Sequence, residues 1–210
     1  MKISPSKSFI LHLGNNNPKQ QYKLGDQIIN ETENMRDLGI FIDNKLKFSQ
    51  HYTFIIRNAY LRMHQIFKAI RSGSIKTWTT IYKSYIRPLL EYAPETWSPL
   101  LKKDIKKVEQ CQKFFTRIAL KKCKLPPIPY TDRLTLFKLP TLEQRRIVFD
   151  MTMAHKIINR QTHINPEDLF TFSHRQNKKG TFRLLTKLRT YKNKKSFTDK
   201  NLEPIKQYST

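Results

Sequence analysis

The chain has 210 residues, of which 38% are hydrophobic and 11% aromatic, and this apolar content is sufficient for a core and excludes a wholly disordered protein. Its formal net charge is +24, from 40 Lys and Arg against 16 Asp and Glu, which indicates a polyanionic partner. Nucleic acid is favoured over an anionic membrane surface, because the basic residues are interleaved with aromatic residues along several segments instead of filling one amphipathic helix.

The first fifty residues have the pattern of short strands. Apolar runs at 9–13, 22–24, 27–29 and 38–43 are separated by loop and turn signals, among them Gly25 and Asp26. Together they predict a small antiparallel sheet. Gly39 lies inside the last run, which predicts a bulge or a close backbone approach, with or without a ligand there. Asp43 at the end of that run is expected to be a turn residue.

From about residue 48 the apolar residues recur at three- and four-residue steps, which predicts helices. The first is expected to end at Gly73, and the second to be ended or kinked by Pro88. A third is predicted from Lys102 to Lys122. After a proline-rich connector, a short helix is predicted near Thr131 and a longer one from Pro140 to about 159. The tail, residues 173–210, is basic and lacks periodicity, so it is predicted to be disordered.

The third helix has two distinct faces. Its apolar face consists of Ile105, Val108, Gln112, Phe115, Ile118 and Ala119, with Gln112 as the one polar member. Four basic residues lie within roughly 60° of one another on the opposite side when residues are placed about 100° apart. We call these four the basic ridge: Lys102, Lys106, Lys113 and Arg117.

Four aromatic residues are candidates for stacking on unpaired bases. Trp78, Tyr82 and Tyr85 share one face of the second helix, and this spacing is more typical of core residues. Trp97 lies in a predicted loop between two prolines, which makes it the better candidate for an exposed ring, although packing is the more common outcome. His51, His64 and His155 have no ligand or nucleophile partner nearby in the sequence and are most simply surface or core histidines.

Cysteine usage and hydropathy indicate the compartment. Cys111 and Cys123 form no CxxC pair and accompany no Cys/His cluster, which is typical of a reduced, metal-free protein. The first residues lack the apolar run of a signal peptide, and no run is long enough to span a membrane. The sequence therefore predicts an intracellular protein, nuclear or cytoplasmic or both, without a membrane partner.

Several stretches, in order, resemble signatures of one protein family. They are SPSKSFILHLG at 4–14, RDLGIFID at 36–43 followed by Leu46, Phe48 and His51, IYKSYIRPLLEYA and WSP at 81–99, KKDIKKVEQCQKFFTR at 102–117, YTDRL at 130–134 and LEQRR at 142–146. They are similar to the region that follows the catalytic motif in Jockey-like reverse transcriptases of non-LTR (LINE-type) retrotransposons. The resemblance covers roughly residues 1–190.

The resemblance implies an α+β organisation: an antiparallel palm remnant at 1–50, a helical thumb at 51–124, a helical extension at 125–172 and the tail at 173–210. Lys7 matches the lysine of the family's motif D, thought to assist departure of pyrophosphate, although an ordinary solvated lysine is the alternative. The strand around Gly39 matches the place where the family grips the primer end.

The family's catalytic hairpin, aromatic-Ala-Asp-Asp, is not in this sequence and is expected upstream with the rest of the palm and the fingers. No cofactor is expected in this chain, whereas the intact polymerase is expected to use Mg2+. The only adjacent carboxylates, Glu167 and Asp168, are expected in the first turn of a helix capped by Asn165. This chain alone is therefore not expected to polymerise.

The predicted function is non-sequence-specific binding of an RNA/DNA template-primer by a piece of this polymerase. The predicted phosphate contacts are Lys68, Arg71, Lys76, Lys83, Arg87, Lys102, Lys106, Lys113 and Arg117. The alternative is a stand-alone basic protein, derived from the element, that binds nucleic acid or has a structural role.

Overall fold

The computed structural model describes residues 3–14, 16–176 and 182–186. The fold is α+β, as the sequence predicts. The chain divides into two compact units, Met1–Phe149 and Asp150–Thr210, and the first holds the strands and helices that the sequence analysis links to nucleic acid.

The strands of the first unit are short. They are β1 (Phe9–Leu11), β2 (Lys23–Leu24), β3 (Gln27–Ile28), β4 (Asn30–Thr32), β5 (Asn34–Asp37) and β6 (Ile40–Asp43). β1 pairs with β4 in parallel, whereas the pairs β2–β3 and β5–β6 are antiparallel. The prediction of one small antiparallel sheet is therefore wrong: the described strands form separate two-stranded pairs, and one of these pairs is parallel. The polar sequences of β4 and β5 lack the apolar alternation by which strands are recognised.

Two turns join antiparallel strands here. The predicted turn at Gly25 and Asp26 is confirmed, since Leu24 pairs with Gln27 across it. Gly39 lies in the next turn, not in a strand, and has φ +89° beside Leu38 at φ +44°. Two-residue hairpin turns of this kind need positive φ at both central positions, which a glycine adopts without strain. The predicted bulge is thus a turn, and β6 begins after it.

Asp43 is confirmed as a turn residue. Its carboxylate accepts hydrogen bonds from the backbone N–H groups of Lys45, Lys47 and Phe48, the last at 2.7 Å. Charge-assisted bonds to backbone amides are stronger than neutral ones. Asp43 therefore shapes the loop that leads into α1 (Ser49–Ala69).

The second helical stretch changes its winding. α2 (Ile75–Ile81) continues as a π-helical segment, Tyr82–Ile86, and then as α3 (Arg87–Leu90). Pro88 has no N–H to donate, and the helix ends two residues after it, as predicted. A π-helix has more residues per turn than an α-helix, so residues after Tyr82 leave the α-helical register.

The change to π-helical winding after Tyr82 explains which aromatic side chains of this stretch are exposed. Trp78 and Tyr82 are fully buried, as predicted, whereas Tyr85 is 58% exposed, so the prediction of a core position for Tyr85 is wrong. The main core joins α1, α2 and the π segment to α5 (Lys102–Lys122) and α6 (Tyr130–Phe137). Its rings include Phe67 and Phe115, whose centroids are 5.1 Å apart.

Trp97 is buried, with 1% of its surface exposed, so of the two alternatives for this ring the favoured one, packing, is confirmed. It ends the short helix α4 (Pro94–Trp97) and packs in a second core cluster with Ile40, Tyr52 and Ile55. Its indole Nε1–H donates to the carbonyl of Tyr92 at 2.7 Å, and its own carbonyl accepts from the Tyr52 hydroxyl at 3.0 Å. This cluster fixes β6 against α1.

His51 belongs to the same region and is 1% exposed. Its Nδ1 accepts from the backbone N–H of Phe41 at 3.5 Å, and its ring centroid lies 5.0 Å from that of Trp97. Burial, with a smaller contribution from the positive charge of Arg36, lowers the pKa of His51 below its usual value. The neutral imidazole is therefore the form that the fold favours.

We expect the free energy of unfolding to fall as the pH is lowered below about 6.5, because the unfolded chain then binds a proton that folded His51 resists. The loss should level off once the pH lies below the lowered pKa of the folded state. Urea unfolding between about pH 5 and about pH 7 measures this slope. His51→Asn should be less stable throughout but show a shallower slope. A variant with the parental slope would contradict the assignment.

The start of α7 and the end of α6 are defined by local backbone features. α7 (Leu142–Ile158) starts at Thr141, whose hydroxyl accepts from the Gln144 N–H at 3.1 Å while the Gln144 side chain accepts from the Thr141 N–H at 3.0 Å. This reciprocal pair is a capping box. α6 ends at Lys138 with φ +50°. Both helices lie close to their predicted positions.

Beyond α7 the structure describes α8 (Pro166–Leu169) and an antiparallel pair, β7 (Phe170–Gln176) and β8 (Phe182–Thr186). Glu167 and Asp168 lie in the first turn of α8, as predicted. The prediction of disorder from residue 173 is wrong for residues 173–176 and 182–186, which belong to β7 and β8. The rest of the predicted tail lies outside the described residues. Within the described ranges, no helix has the length and apolarity needed to cross a lipid bilayer.

Candidate nucleic-acid interface

The helix α5 carries the candidate interface, and its bounds, Lys102–Lys122, agree with the sequence prediction. Its inward face packs Val108, Phe115 and Ala119 into the main core with no exposed surface. Ile105 and Ile118, predicted on the same face, are half-buried. One side of α5 is thus fixed in the core, and the opposite side is left to the solvent.

The basic ridge lies on this outer side. Lys102, Lys106 and Arg117 are exposed, whereas Lys113 is half-buried. The Lys113 ammonium lies 5.0 Å from the ring centroid of Tyr130, which is within the range of a cation–π interaction. Three members of the ridge are therefore open to a ligand, and the fourth is partly covered by α6.

The acidic residues of α5 do not neutralise the ridge. The two carboxylates of this helix, Asp104 and Glu109, are both buried, and α1 contains neither Asp nor Glu. Asp104 lies 3.6 Å from the ammonium of Lys107, which is not a ridge residue. Exposed charges of one sign reinforce one another, so this surface attracts anions.

A buried hydrogen-bond network fixes the rotation of α5. Gln112 is completely buried, and its side-chain amide donates to the Pro140 carbonyl at 2.9 Å and to the Tyr130 hydroxyl at 3.0 Å. Its carbonyl oxygen accepts from the Tyr82 hydroxyl at 2.7 Å. Polar groups at this depth are stable only when paired, which explains the one polar residue on the apolar face.

Glu109 extends this network to the start of α7. The Tyr130 hydroxyl donates to one carboxylate oxygen of Glu109, and the other oxygen accepts from the Leu142 N–H at 2.9 Å. Burial, followed by the bond to Glu109, raises the pKa of Tyr130 well above its usual value, so the hydroxyl remains a donor. The network therefore holds α5, α6 and the first residue of α7 in one arrangement, with the ridge facing outward.

The other predicted contacts lie elsewhere on the first unit. Lys68 and Arg71 are exposed at the C-terminal end of α1 and just beyond it. Lys76 and Lys83 are exposed on α2 and the π segment, on the side opposite Trp78. Since Trp78 faces Phe115 of α5, these two lysines point away from the ridge.

Arg87 is half-buried and lies 3.5 Å from the carboxylate of Glu91. Glu91 also accepts two hydrogen bonds from Arg145, one of them at 2.9 Å. An arginine engaged with a largely buried carboxylate is a weaker candidate for a phosphate contact. Lys7 is exposed in a single helical turn, Pro5–Lys7, directly before β1.

A group of residues where α1 meets α5 was not predicted from the sequence. The ring centroids of Tyr60 and His64 lie 5.2 Å and 5.9 Å from that of Phe114. The Arg117 guanidinium carbon lies over the Phe114 ring, 5.6 Å from its centroid. We call these four residues the aromatic edge. Phe114 directly follows a ridge residue in the sequence, but its partners on α1 are set only by helix packing.

The described residues offer no group of three or more His, Cys, Asp or Glu side chains placed to hold a metal ion. What the site does provide is exposed ammonium and guanidinium groups on a rigid helix.

Comparison with known proteins finds a similarity to a nematode protein. The chain is 28% identical over 165 residues to an uncharacterized protein of Caenorhabditis elegans, which corresponds to 73% of this chain and 80% of that protein. No family model matches the chain, and no solved structure matches it. The name of the nematode protein states no activity, so the similarity by itself assigns no function.

Proposed function

We propose that this chain binds an RNA/DNA template-primer through its phosphates, as the palm-end and thumb part of a non-LTR retrotransposon reverse transcriptase. The observation that carries the proposal is the basic ridge, which is exposed on α5 while the acids of that helix are buried. The ordered series of family-like stretches supports the assignment to a polymerase.

The length of the ridge suits a duplex. Lys102 and Arg117 are 15 residues apart, which corresponds to roughly 22 Å along a helix at 1.5 Å per residue. A duplex carries roughly one phosphate charge per 1.7 Å, so roughly a dozen phosphates lie within that length. Lysine ammonium groups recognise charge and carry no base identity, as a protein that must hold any sequence requires.

The finer roles follow from the resemblance. In the intact polymerase Lys7 would assist departure of pyrophosphate, and the turn at Leu38 and Gly39 would lie near the primer end. The two Mg2+ ions would be held by carboxylates outside this chain. This chain contributes the positioning of the duplex.

A binding experiment tests the proposal. The full chain is titrated into labelled RNA/DNA hybrids of two unrelated sequences, and into a primed RNA template with Mg2+ and nucleotides. We expect similar affinity for both hybrids and no primer extension above a no-protein control, because the paired aspartates are absent from the sequence. A strong preference for one hybrid sequence would contradict non-sequence-specific binding. Extension would point to an unrecognised site, with Asp43, Glu91 and Asp104 as the residues to examine.

A stand-alone nucleic-acid-binding protein would also bind both hybrids, so a second measurement separates the two functions. Sequencing of the genomic DNA immediately upstream shows what precedes the first codon of this chain. An in-frame aromatic-Ala-Asp-Asp hairpin upstream supports the polymerase. A promoter and an upstream stop codon would support the stand-alone protein instead.

A further inference from the structure

We propose that the aromatic edge, Tyr60, His64, Phe114 and Arg117, stacks an unpaired nucleobase of a single strand that adjoins the duplex on the ridge. The inference rests on the proposed function, because the ridge supplies the attraction for the same nucleic acid. The aromatic edge would be a site for unpaired nucleotides, in addition to the phosphate contacts of the ridge.

The geometry of Arg117 is the first step. Its guanidinium carbon lies over the Phe114 ring at 5.6 Å from the centroid, and the residue is exposed. A guanidinium is a flat cation that stacks on aromatic faces and on bases. The Phe114 ring holds the guanidinium in place, so a base can stack on the outer face of the guanidinium.

The second step is the support beneath Arg117. Phe114 is half-buried and is held edge-on by Tyr60, with the ring planes at 67°. His64 is exposed, and its imidazole is tilted by 58° against the same ring. The edge thus joins a rigid base, fixed by packing between α1 and α5, to two exposed planar groups, which resembles the stacking platforms of single-strand binding proteins.

Charge identifies the occupant as nucleic acid. Lys68 lies one helical turn beyond His64, and Lys121 lies one turn beyond Arg117, and both lysines are exposed. No acidic residue of α1 opposes them, since α1 has none. Planar groups flanked by cations suit single-stranded nucleic acid, in which bases alternate with phosphates.

The aromatic edge lies beside the ridge on the surface of α5. Phe114 is about 100° around α5 from Lys113, and Arg117 belongs to both surfaces. A strand leaving a duplex on the ridge therefore reaches the edge by crossing the side of one helix. Arg117 is the junction at which phosphate contact and base stacking meet.

The test uses the full chain and a labelled single-stranded oligonucleotide containing 2-aminopurine, whose fluorescence is quenched by stacking. Arg117→Lys keeps the charge but removes the flat group, and Arg62→Lys is the matched control. Arg62 is exposed and lies two residues from His64, on the opposite edge of α1. We expect Arg117→Lys to weaken single-strand binding by roughly 5- to 100-fold and to reduce the quenching. Its salt dependence should be unchanged, because the charge is kept.

Phe114→Leu and His64→Ala complete the series. Both should weaken single-strand binding, and both should bind the RNA/DNA hybrid within about two-fold of the parent. Because Phe114 is half-buried, its variant is checked by thermal melting, and the exposed His64 gives a result that folding does not confound. Parental single-strand affinity in both Arg117→Lys and His64→Ala would overturn the aromatic edge.

The outcomes also separate this inference from the proposed function. Hybrid binding by the parent without quenching of 2-aminopurine would overturn the edge and leave the ridge in place. Failure of the parent to bind any nucleic acid would overturn both. Polyglutamate that binds as tightly as the oligonucleotide, with the same loss on Arg117→Lys, would make the surface a site for an acidic protein and overturn the nucleotide assignment.

Discussion

Replacing the four ridge residues, Lys102, Lys106, Lys113 and Arg117, by Gln is expected to flatten the salt dependence of hybrid binding by roughly three units of log K per log salt. Each neutralised phosphate releases condensed counterion and contributes roughly 0.9 to that slope on duplex. Four full contacts would give nearly four units, but Lys113 is partly covered by Tyr130. The measurement is the dissociation constant by fluorescence anisotropy at several salt concentrations.

The matched control removes an equal charge from the tail, with Lys192, Lys194, Lys195 and Lys200 replaced by Gln. This variant should flatten the slope less, and sequence preference should stay unchanged in both, because phosphates carry no base identity. Equal slopes in the two quadruple variants would show that the charge acts diffusely over the chain. The ridge would then have no special role.

Trp97→Ala is expected to lower the free energy of unfolding by about 3–5 kcal/mol, the usual cost of truncating a large buried aromatic side chain. The cavity would open between β6 and α1, and the indole hydrogen bond to Tyr92 would be lost. Urea unfolding followed by circular dichroism measures the change. Hydrogen exchange should show the amides of β5 and β6 losing protection before those of α5.

Two variants bracket this result. Trp97→Phe keeps most of the apolar volume and should cost less than the alanine variant. Tyr85→Ala removes an exposed aromatic side chain and should change stability by no more than about 0.5 kcal/mol. Comparable losses in Tyr85→Ala and Trp97→Ala would contradict the burial of the indole. In that case Trp97 would not anchor the hairpin β5–β6 on α1.

Local sequence signals located the longer helices. The apolar period and the flanking residues placed α5 at Lys102–Lys122, as observed, and placed the start of α7 near Pro140, close to the observed Leu142. The same period predicted that Gln112 points inward and the basic ridge outward. Helical position is local because each residue's direction is set by its neighbours within one turn.

Tertiary structure alone decided which distant groups meet. The parallel pairing of β1 with β4, the burial of Trp97 and the ion pair of Arg145 with Glu91 each depend on a partner or a packing surface that no local pattern specifies. The aromatic edge is of the same kind, since Phe114 and His64 are 50 residues apart and are joined only because α1 packs beside α5. Sequence periodicity fixes the direction of a side chain on its own helix, whereas its neighbours across the interface follow from how the helices pack.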